Sequence, residues 1–597
     1  MAKAGMPYPQ VEPRAAALMD RRVVTVPASR RVADALRTAL RTESELVVLG
    51  AGRAVRRREL ERAVEWGLGA LDVTAVSWEG LPTVSEDASE IVVRRLVLDG
   101  VPMILVRSGR AMVGVVDAAR IEVARPTQSV VERLDRLEHE DADASVWLLR
   151  VAGKAGEALG MPVFAVGGFV RDLLLGHTAP DVDLMVEGDG VAFARRLHEE
   201  VGGRLVIHAA FKTASIEGAA GRSRRPIARI DIASARRERY EAPGALPSVS
   251  EASVHDDLIR RDFSVNAMAI ALQPSAFGHL LDPLGGQRDL ARRALRPLHP
   301  LSFVEDPTRI FRAARYAARL GFRLDRLGTR ALTVALHVGS YPALSGQRLR
   351  AELELMAGER RGFAGLVRLL EWNAFRLWDR DFRASAASVR HVRAAAQLCR
   401  WSSQSKIEID ATELAAIALL VDQRTDVVTR CLARLALTGE RSERLRTATT
   451  AGPLARRLDG PNWRRPSQLA ETLRALAPQV LAGAWLRGGR MARRRIQWFW
   501  SRARDMRPLL SGDEVVALGV PRGPRVGECL MRLRQLQLDL AVTTRRRARQ
   551  WVTQWVSAPR RDIGVHQRRL RRPEGQGCAQ GMRRPRSRAQ TRRGVST

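Results

Sequence analysis

Residues 163–187 read VFAVGGFVRDLLLGHTAPDVDLMVE, and this stretch restricts the fold more tightly than any other part of the chain. An apolar run leads into Gly167-Gly168, an amphipathic helical pattern starts at Val170, and a second apolar run opens with Asp181-Val182-Asp183. The order is strand, glycine turn, helix, strand. Glycines let the backbone approach a bound triphosphate, and the helix that follows offers unpaired N–H groups and the positive end of its dipole. Arg171 adds a fixed positive charge. Alternate residues of a strand share a face, so Asp181 and Asp183 point the same way. Two converging carboxylates resist ionising together unless a cation sits between them. Mg²⁺ meets that need, with octahedral oxygen sites completed by substrate phosphates.

The rest of the chain sets its class. With 597 residues it is too long for one core, and two to four domains are expected. Lys+Arg 99 against Asp+Glu 65 leaves a net charge of +34, which calls for a polyanionic partner, nucleic acid or an anionic membrane surface. Lysine occurs only at Lys3, Lys154, Lys212 and Lys406. Genomic base composition produces such a bias as readily as selection does, so single arginine clusters carry little weight and the net charge carries more. Aromatic residues make up 5%, too few for a surface built mainly on base stacking. Cys399, Cys431, Cys529 and Cys578 form no C-x-x-C and suit neither zinc nor a disulfide framework. That pattern fits a reducing compartment, and no apolar run nears the roughly 18 residues of a membrane span, so a soluble cytoplasmic protein is expected.

Residues 22–122 read as two tandem β-α-β-β units, VVTVPASRRVADALRTAL with ELVVLGAGRAV, then LPTVSEDASEIVVRRLVLDG with VPMILVRSGRAMVGVV. The repeat resembles a pair of CBS modules. CBS pairs often hold an adenine nucleotide through a hydroxyl residue and an Asp after the last strand. Here those places hold Asp117 and Arg120 in the second copy and Arg56-Arg57-Arg58-Glu59 in the first. An acid there repels phosphate, so a packing or dimerising module without ligand is the favoured reading.

Later stretches resemble one family in the same order. The first motif, GGFVRDLLLG with Asp181-Val182-Asp183, is similar to that of class II tRNA nucleotidyltransferases and bacterial poly(A) polymerases. DDLIRRDFSVNA (256–267), LDPLGGQRDL (281–290) and EDPTRIFRAARY (305–316) look like that family's RRDFxxNA, linker and EDxxR segments, and LSGDEVVALGVPRGPRVGECL resembles a segment late in many members. The resemblance implies an α+β N-terminal half, a CBS pair and then a nucleotidyltransferase palm with a mixed sheet, followed by an all-α neck, body and tail. It divides the chain into an N-terminal extension (1–21), the CBS pair (22–125), a helical connector (126–160), the palm (161–300), a neck with the base-recognition helix (301–365), a helical body and tail for tRNA (366–557) and an Arg-rich disordered tail (558–597).

Site residues follow from the same resemblance. Gly167, Gly168 and Arg171 face the triphosphate, Asp181 and Asp183 hold Mg²⁺, and Arg261, Asp262 and Asn266 contact ribose and phosphate. Arg312 and Arg315 continue a basic face from Arg309. Asp231, in ARIDIASARRERY, is either a third carboxylate near the metals or a strand-end acid paired with an arginine. Asp306 and Arg309, three apart on a helix, present an acceptor beside a donor. Cytosine and adenine each match with an exocyclic amine beside a ring acceptor, whereas uracil and guanine offer a carbonyl to the carboxylate. CTP or ATP is therefore expected, with UTP and GTP excluded.

The implied reaction is in-line, two-metal attack of an RNA 3′-hydroxyl on the α-phosphorus, releasing pyrophosphate. It extends tRNA 3′ ends, either as a CCA-adding enzyme or as an A-adding one, and CBS modules before the palm resemble some A-adding enzymes. HAAFKTAS (208–215) is closer to tRNA-end enzymes than to poly(A) polymerases. His391 and Asp422 stand isolated in the sequence, with no His-Asp phosphohydrolase signature. Poly(A) synthesis on general RNA is the alternative, and a non-catalytic RNA-binding or nucleotide-sensing CBS protein is the alternative from another class. The resemblance also implies a homodimer through the CBS modules and no membrane partner.

Overall fold

The two N-terminal repeats build the same small sheet twice. In the first, Val23–Thr25 pairs parallel with Leu46–Gly50, which pairs antiparallel with Arg53–Arg56, and the helix Val32–Arg41 joins the first two strands. In the second, Thr83–Ser85, Met103–Ser108 and Ala111–Asp117 repeat that order around the helix Glu90–Leu98. Period-two alternation decides which side chains go where. Met103 and Leu105 join Leu46, Val48, Trp78 and Val115 in a core shared by both repeats, while Ile104 and Val106 face Val93 and Val97 of the helix. Arg56 of the first repeat makes a bidentate bond to Asp117 of the second, at 3.0 and 3.1 Å. The two positions considered above for a ligand thus hold each other.

The computed structural model describes residues 14–557, apart from residues 51, 119–120, 122–127, 141–143, 178–180, 209–211, 220–226, 462 and 464. The Arg-rich tail, Arg120, Cys578, most of the N-terminal extension and part of HAAFKTAS lie outside the described residues. Two compact units emerge, one from Met1–Gly452 with Pro478–Arg487, the other from Pro453–Ala477 with Gly488–Thr597.

A mixed eight-stranded sheet forms the head of the first unit. Its order is Arg204–His208, Thr213–Ala219, Ile227–Ser234, Asp181–Val186, Val163–Val166, Ala269–Ala271, His279–Leu281 and Gln128–Ser129. Asp181–Val186 lies parallel to Ile227–Ser234 and antiparallel to Val163–Val166, so it is central, and its run Val182, Leu184, Met185, Val186 is buried. The stretch 126–160, expected to be wholly helical, also supplies the edge strand Gln128–Ser129, paired with His279 and Leu280. The helix Gly190–Val201, capped by Asp189, packs against this sheet through Phe193, Ala194, Leu197 and Val201.

The N-terminal repeats dock on the neck. Leu327, on the helix Arg326–Val338, belongs to their shared core, and Arg330 of that helix donates to Glu79 at 2.7 Å and to the Ser77 carbonyl at 2.7 Å. Backbones meet closely at Gly100, where a Cβ would come 2.6 Å from the Gly285 nitrogen. The helical region begins later than residue 300, because Arg323–Leu324 pairs parallel with Ala294–Leu295, and beyond Arg326 the regular elements of the described residues are helices. His391 and Asp422, far apart in sequence, meet at 2.9 Å with Arg487 also on Asp422, which corrects their isolation, while burial lowers the His391 pKa. The second unit packs around Leu510, Val515, Val520, Leu533, Val552 and Trp555. Among the described residues no helix is long and apolar enough to cross a membrane.

Leu105 is fully buried between the repeats. Leu105→Ala is expected to destabilise by about 2–5 kcal/mol, read as a lower midpoint of the first unfolding transition in urea.

Candidate active site

Strand pairing assembles the carboxylates. Asp181 and Asp183 occupy one face of their strand, and the parallel partner places Asp231 directly beside Asp183 and Arg229 beside Asp181. Asp231 accepts from Arg229 at 2.9 Å and from Ser215 Oγ at 2.6 Å. Asp231 is thus paired with an arginine, and it also adjoins the other two acids on the sheet. Burial raises the Asp183 carboxyl and, against Arg261 and Arg171, Asp231 and Asp181 raise it further. A cation relieves that repulsion, so the residues present fit a divalent metal. Among the described residues no three such side chains are gathered closely enough to hold a metal by protein ligands alone. Phosphate oxygens and water must supply the rest of the shell.

Gly167 takes φ +68°, which favours glycine, and begins the turn into a helix at Gly168–Leu174, two residues earlier than the expected start. A Cβ at Gly167 would lie 2.9 Å from an Arg261 guanidinium nitrogen and 3.4 Å from an Asp183 oxygen. The glycine turn, the RRD segment and the D-x-D strand thus converge at one point.

A buried hydrogen-bonded chain holds these elements together. Arg171, 2% exposed, donates to both Asp172 oxygens at 2.8 and 2.9 Å and to Asn266 Oδ1 at 2.8 Å. Asn266 Nδ2 donates to Asp262 at 3.0 Å, and the other Asp262 oxygen accepts from Arg312 Nε at 2.8 Å. Burial alone would raise the Asp262 carboxyl, but Arg312 and Asn266 outweigh it and hold it low. Arg171 and Arg312 thus sit as struts in this structure. Arg261 pairs with Asp257 at 3.0 Å, and Arg315 turns to Glu352 at 3.5 Å and Glu359 at 2.9 Å.

The expected base-reading pair departs from a shared helix face. Asp306 has extended backbone in the break between the helices Ser302–Glu305 and Thr308–Leu320, because Pro307 follows it. Its Oδ1 accepts from Thr308 N at 3.0 Å and Thr308 Oγ1 at 2.7 Å and pairs with Arg348 at 2.8 Å, while Oδ2 has no hydrogen-bond partner among the described residues. Arg309, 5% exposed, donates through its terminal nitrogens to Ser302 Oγ at 2.7 Å, the Arg260 carbonyl at 3.0 Å and Tyr240 at 3.3 Å. Its Nε–H takes no partner among the described residues. The pair therefore keeps one open acceptor and one open donor.

Sequence reasoning missed Asp172, Ser215, Tyr240, His299, Thr308 and Arg348, together with Arg62, which reaches Glu305 from the first repeat. Asp172, Ser215, Tyr240 and Thr308 lie inside the stretches VRD, HAAFKTAS, ARIDIASARRERY and EDPTRIFRAARY that the sequence marked. His299, Arg348 and Arg62 meet the site through the tertiary fold alone.

Residues 163–296 match the family described as the poly A polymerase head domain. The A-adding tRNA nucleotidyltransferase of Geobacter sulfurreducens is 31% identical over 89% of this chain and 63% of its own length. That of Halalkalibacterium halodurans is 31% identical over 67% of this chain and 90% of its own. A solved structure of the Thermotoga maritima CCA-adding enzyme complexed with tRNA superposes with a TM-score of 0.57 and 26% identity, covering 72% of this chain and 99% of that one. The chain thus spans just under two thirds of the Geobacter relative and most of the Halalkalibacterium one.

Glu305 supplies a pH signature. Burial would raise its carboxyl, but His299, Arg309 and Arg62 win and lower it from the ordinary 4.5 to about 2. A depressed value means stability that is present above pH 4.5 and lost as pH falls toward 2. Across that window the wild type should lose about 3 kcal/mol more stability than Glu305→Gln. Denaturant titrations at stepped pH check this, and parallel pH profiles would contradict it.

Proposed function

The chain belongs to the tRNA nucleotidyltransferase family, and from that membership we propose that it adds AMP from ATP to the 3′ end of tRNA, completing an end that already carries CC. The observation that carries this reading is the convergence of the Asp181–Asp183–Asp231 edge with the Gly167 turn and Arg261. The A-adding choice draws its support from a relative of that name matched along nearly the whole chain. Complete CCA addition is the second reading, favoured by the superposition on a CCA-adding enzyme.

The RNA 3′-hydroxyl attacks the α-phosphorus in line and gives its proton to solvent, a new phosphodiester bond forms, the bond to the bridging oxygen breaks, and pyrophosphate leaves. Asp181 and Asp183 hold Mg²⁺, which supplies charge neutralisation at the phosphates. Asp231 adds negative charge beside them. Gly167 and Gly168 allow close approach of the triphosphate, and Arg261 meets it there. Asp262 and Asn266 lie toward the ribose, fixed by Arg171 and Arg312. Asp306 Oδ2 accepts the exocyclic amine of the base and the Arg309 Nε–H donates to the ring nitrogen. The protein chiefly positions charged groups. Arg315 braces the neck helix.

The helices after residue 366 carry the tRNA. In support, the second unit has a cleft of about 280 Å³ lined by Trp463, Arg465, Arg494, Arg495 and Trp498. The N-terminal repeats are read as CBS modules that self-associate as a homodimer and hold no nucleotide, and the intrachain Arg56–Asp117 pair supports the last of these by filling the positions a ligand would use. With a tRNA substrate goes the proposal of a cytoplasmic location.

The test supplies Mg²⁺, labelled ATP or CTP, and tRNAs ending at the discriminator base, at C and at CC. A single A added only to the CC end is the expected result. Addition of C, C and A to the shortest tRNA establishes the second reading, long A tracts on any RNA establish poly(A) synthesis, and no incorporation leaves a binding protein. Asp181→Ala should lower the rate by at least about two to three orders of magnitude, as loss of one charge-stabilising group at a reacting centre does.

A further inference from the structure

Glu305 precedes the proposed base-reading pair and takes no part in it, yet it is buried against that pair. Its side chain is 6% exposed, and its two oxygens face two arginines and a histidine from three places. Oε1 meets Arg62, from the helix Arg57–Glu65 of the first N-terminal repeat. Oε2 meets His299 at 2.9 Å, and Arg309 stands back from it at 3.8 Å. A buried carboxylate needs a charged partner, and a guanidinium that reaches it directly is the strongest on offer. If Arg62 is removed, the nearest remaining guanidinium is that of Arg309.

Arg62 is held where it can do this. Its helix is started by a capping bond from the Arg56 backbone N–H to Glu59 at 3.0 Å, and Glu59 also accepts from the Trp78 indole at 2.9 Å. The Arg62 guanidinium lies 5.4 Å from the centre of the Trp66 ring. The repeat itself is fastened to the neck by Leu327 and by Arg330 on Glu79. The Arg62 side chain is 40% exposed, so it contributes little to the repeat's own core, while the group it contacts is almost wholly enclosed.

Resting on the base-reading role proposed above, we infer that Arg62 is a positioning residue for nucleotide selection, occupying Glu305 so that this carboxylate does not capture Arg309. With Glu305 satisfied from the N-terminal side, Arg309 stays on Ser302, Tyr240 and the Arg260 carbonyl and keeps its Nε–H open. Without Arg62, Glu305 closes the 3.8 Å gap, draws the guanidinium into a direct ion pair and turns it from the base. The N-terminal repeats then contribute a residue to specificity without touching the substrate.

The test compares the full-length wild type with Arg62→Gln, Arg62→Lys and the double variant Arg62→Gln/Glu305→Gln. It measures KM and kcat for ATP, the ATP:UTP preference on tRNA ending in CC, and equilibrium binding of ATP. For Arg62→Gln the ATP KM should rise roughly fivefold to tenfold and the preference should narrow by a similar factor, with kcat within about twofold of wild type. Arg62→Lys, which keeps the charge, should retain most of the preference. The double variant should recover it, because a neutral amide does not capture Arg309. Unchanged KM and preference in Arg62→Gln overturn the inference. So does a double variant no better than the single one, or a loss confined to kcat and thermal stability. A wild type that forms no product defeats the proposed activity instead, and ATP binding by the same proteins then decides the role of Arg62.

Discussion

The site depends on one buried guanidinium. Arg171 ties Asp172 to Asn266, Asn266 passes the link to Asp262, and Asp262 passes it to Arg312. That chain runs from the glycine-turn helix through the RRD segment to the neck helix, joining the part proposed to face phosphate to the part proposed to face the base. Every member but Arg312 is buried, so taking one out strands charge or hydrogen-bonding capacity in low dielectric. Phe263 adds a packed hinge at the same place, with edge-on contacts to Phe303 and Tyr316 at about 6 Å. The glycine-turn helix and the neck helix are therefore held in fixed register by polar bonds rather than by loops.

A second layer lies around that chain. The N-terminal repeats share a core with each other and with the neck, and their facing polar positions are filled by their own side chains, Arg56 with Asp117 and Glu59. The two repeats are thus joined to each other by polar as well as apolar contacts. They meet the neck at Leu327 and Arg330 and meet the segment before the proposed base-reading pair at Glu305.

Much of this was legible in the residues. The strand, GG, helix, D-x-D order placed the central strand and its carboxylates because strand periodicity leaves no choice of face. The β-α-β-β repeat was legible for the same reason, with Ile104 and Val106 alternating against Met103 and Leu105. What could not be read were partnerships between distant positions. Arg62 and Glu305 are 243 residues apart, and nothing local to either marks the other. Asp306 looked like a helix-face residue because spacing assumes an unbroken helix, whereas Pro307 breaks it and turns one carboxylate oxygen inward to Thr308. The resemblance sets Arg171 at the phosphates, and nothing local showed that its neighbour Asp172 bonds both its Nε and one terminal nitrogen. His391 and Asp422 meet only when their helical segments pack.

The central claim is that one carboxylate oxygen and one guanidinium N–H select the base before any RNA is joined. Binding of all four nucleoside triphosphates to the full chain, measured by equilibrium dialysis with Mg²⁺ and without RNA, tests it most directly. The account predicts that ATP or CTP binds while UTP and GTP bind at least about a hundredfold more weakly, as expected where a mismatched partner leaves buried groups unpaired. Equal binding of all four would contradict it.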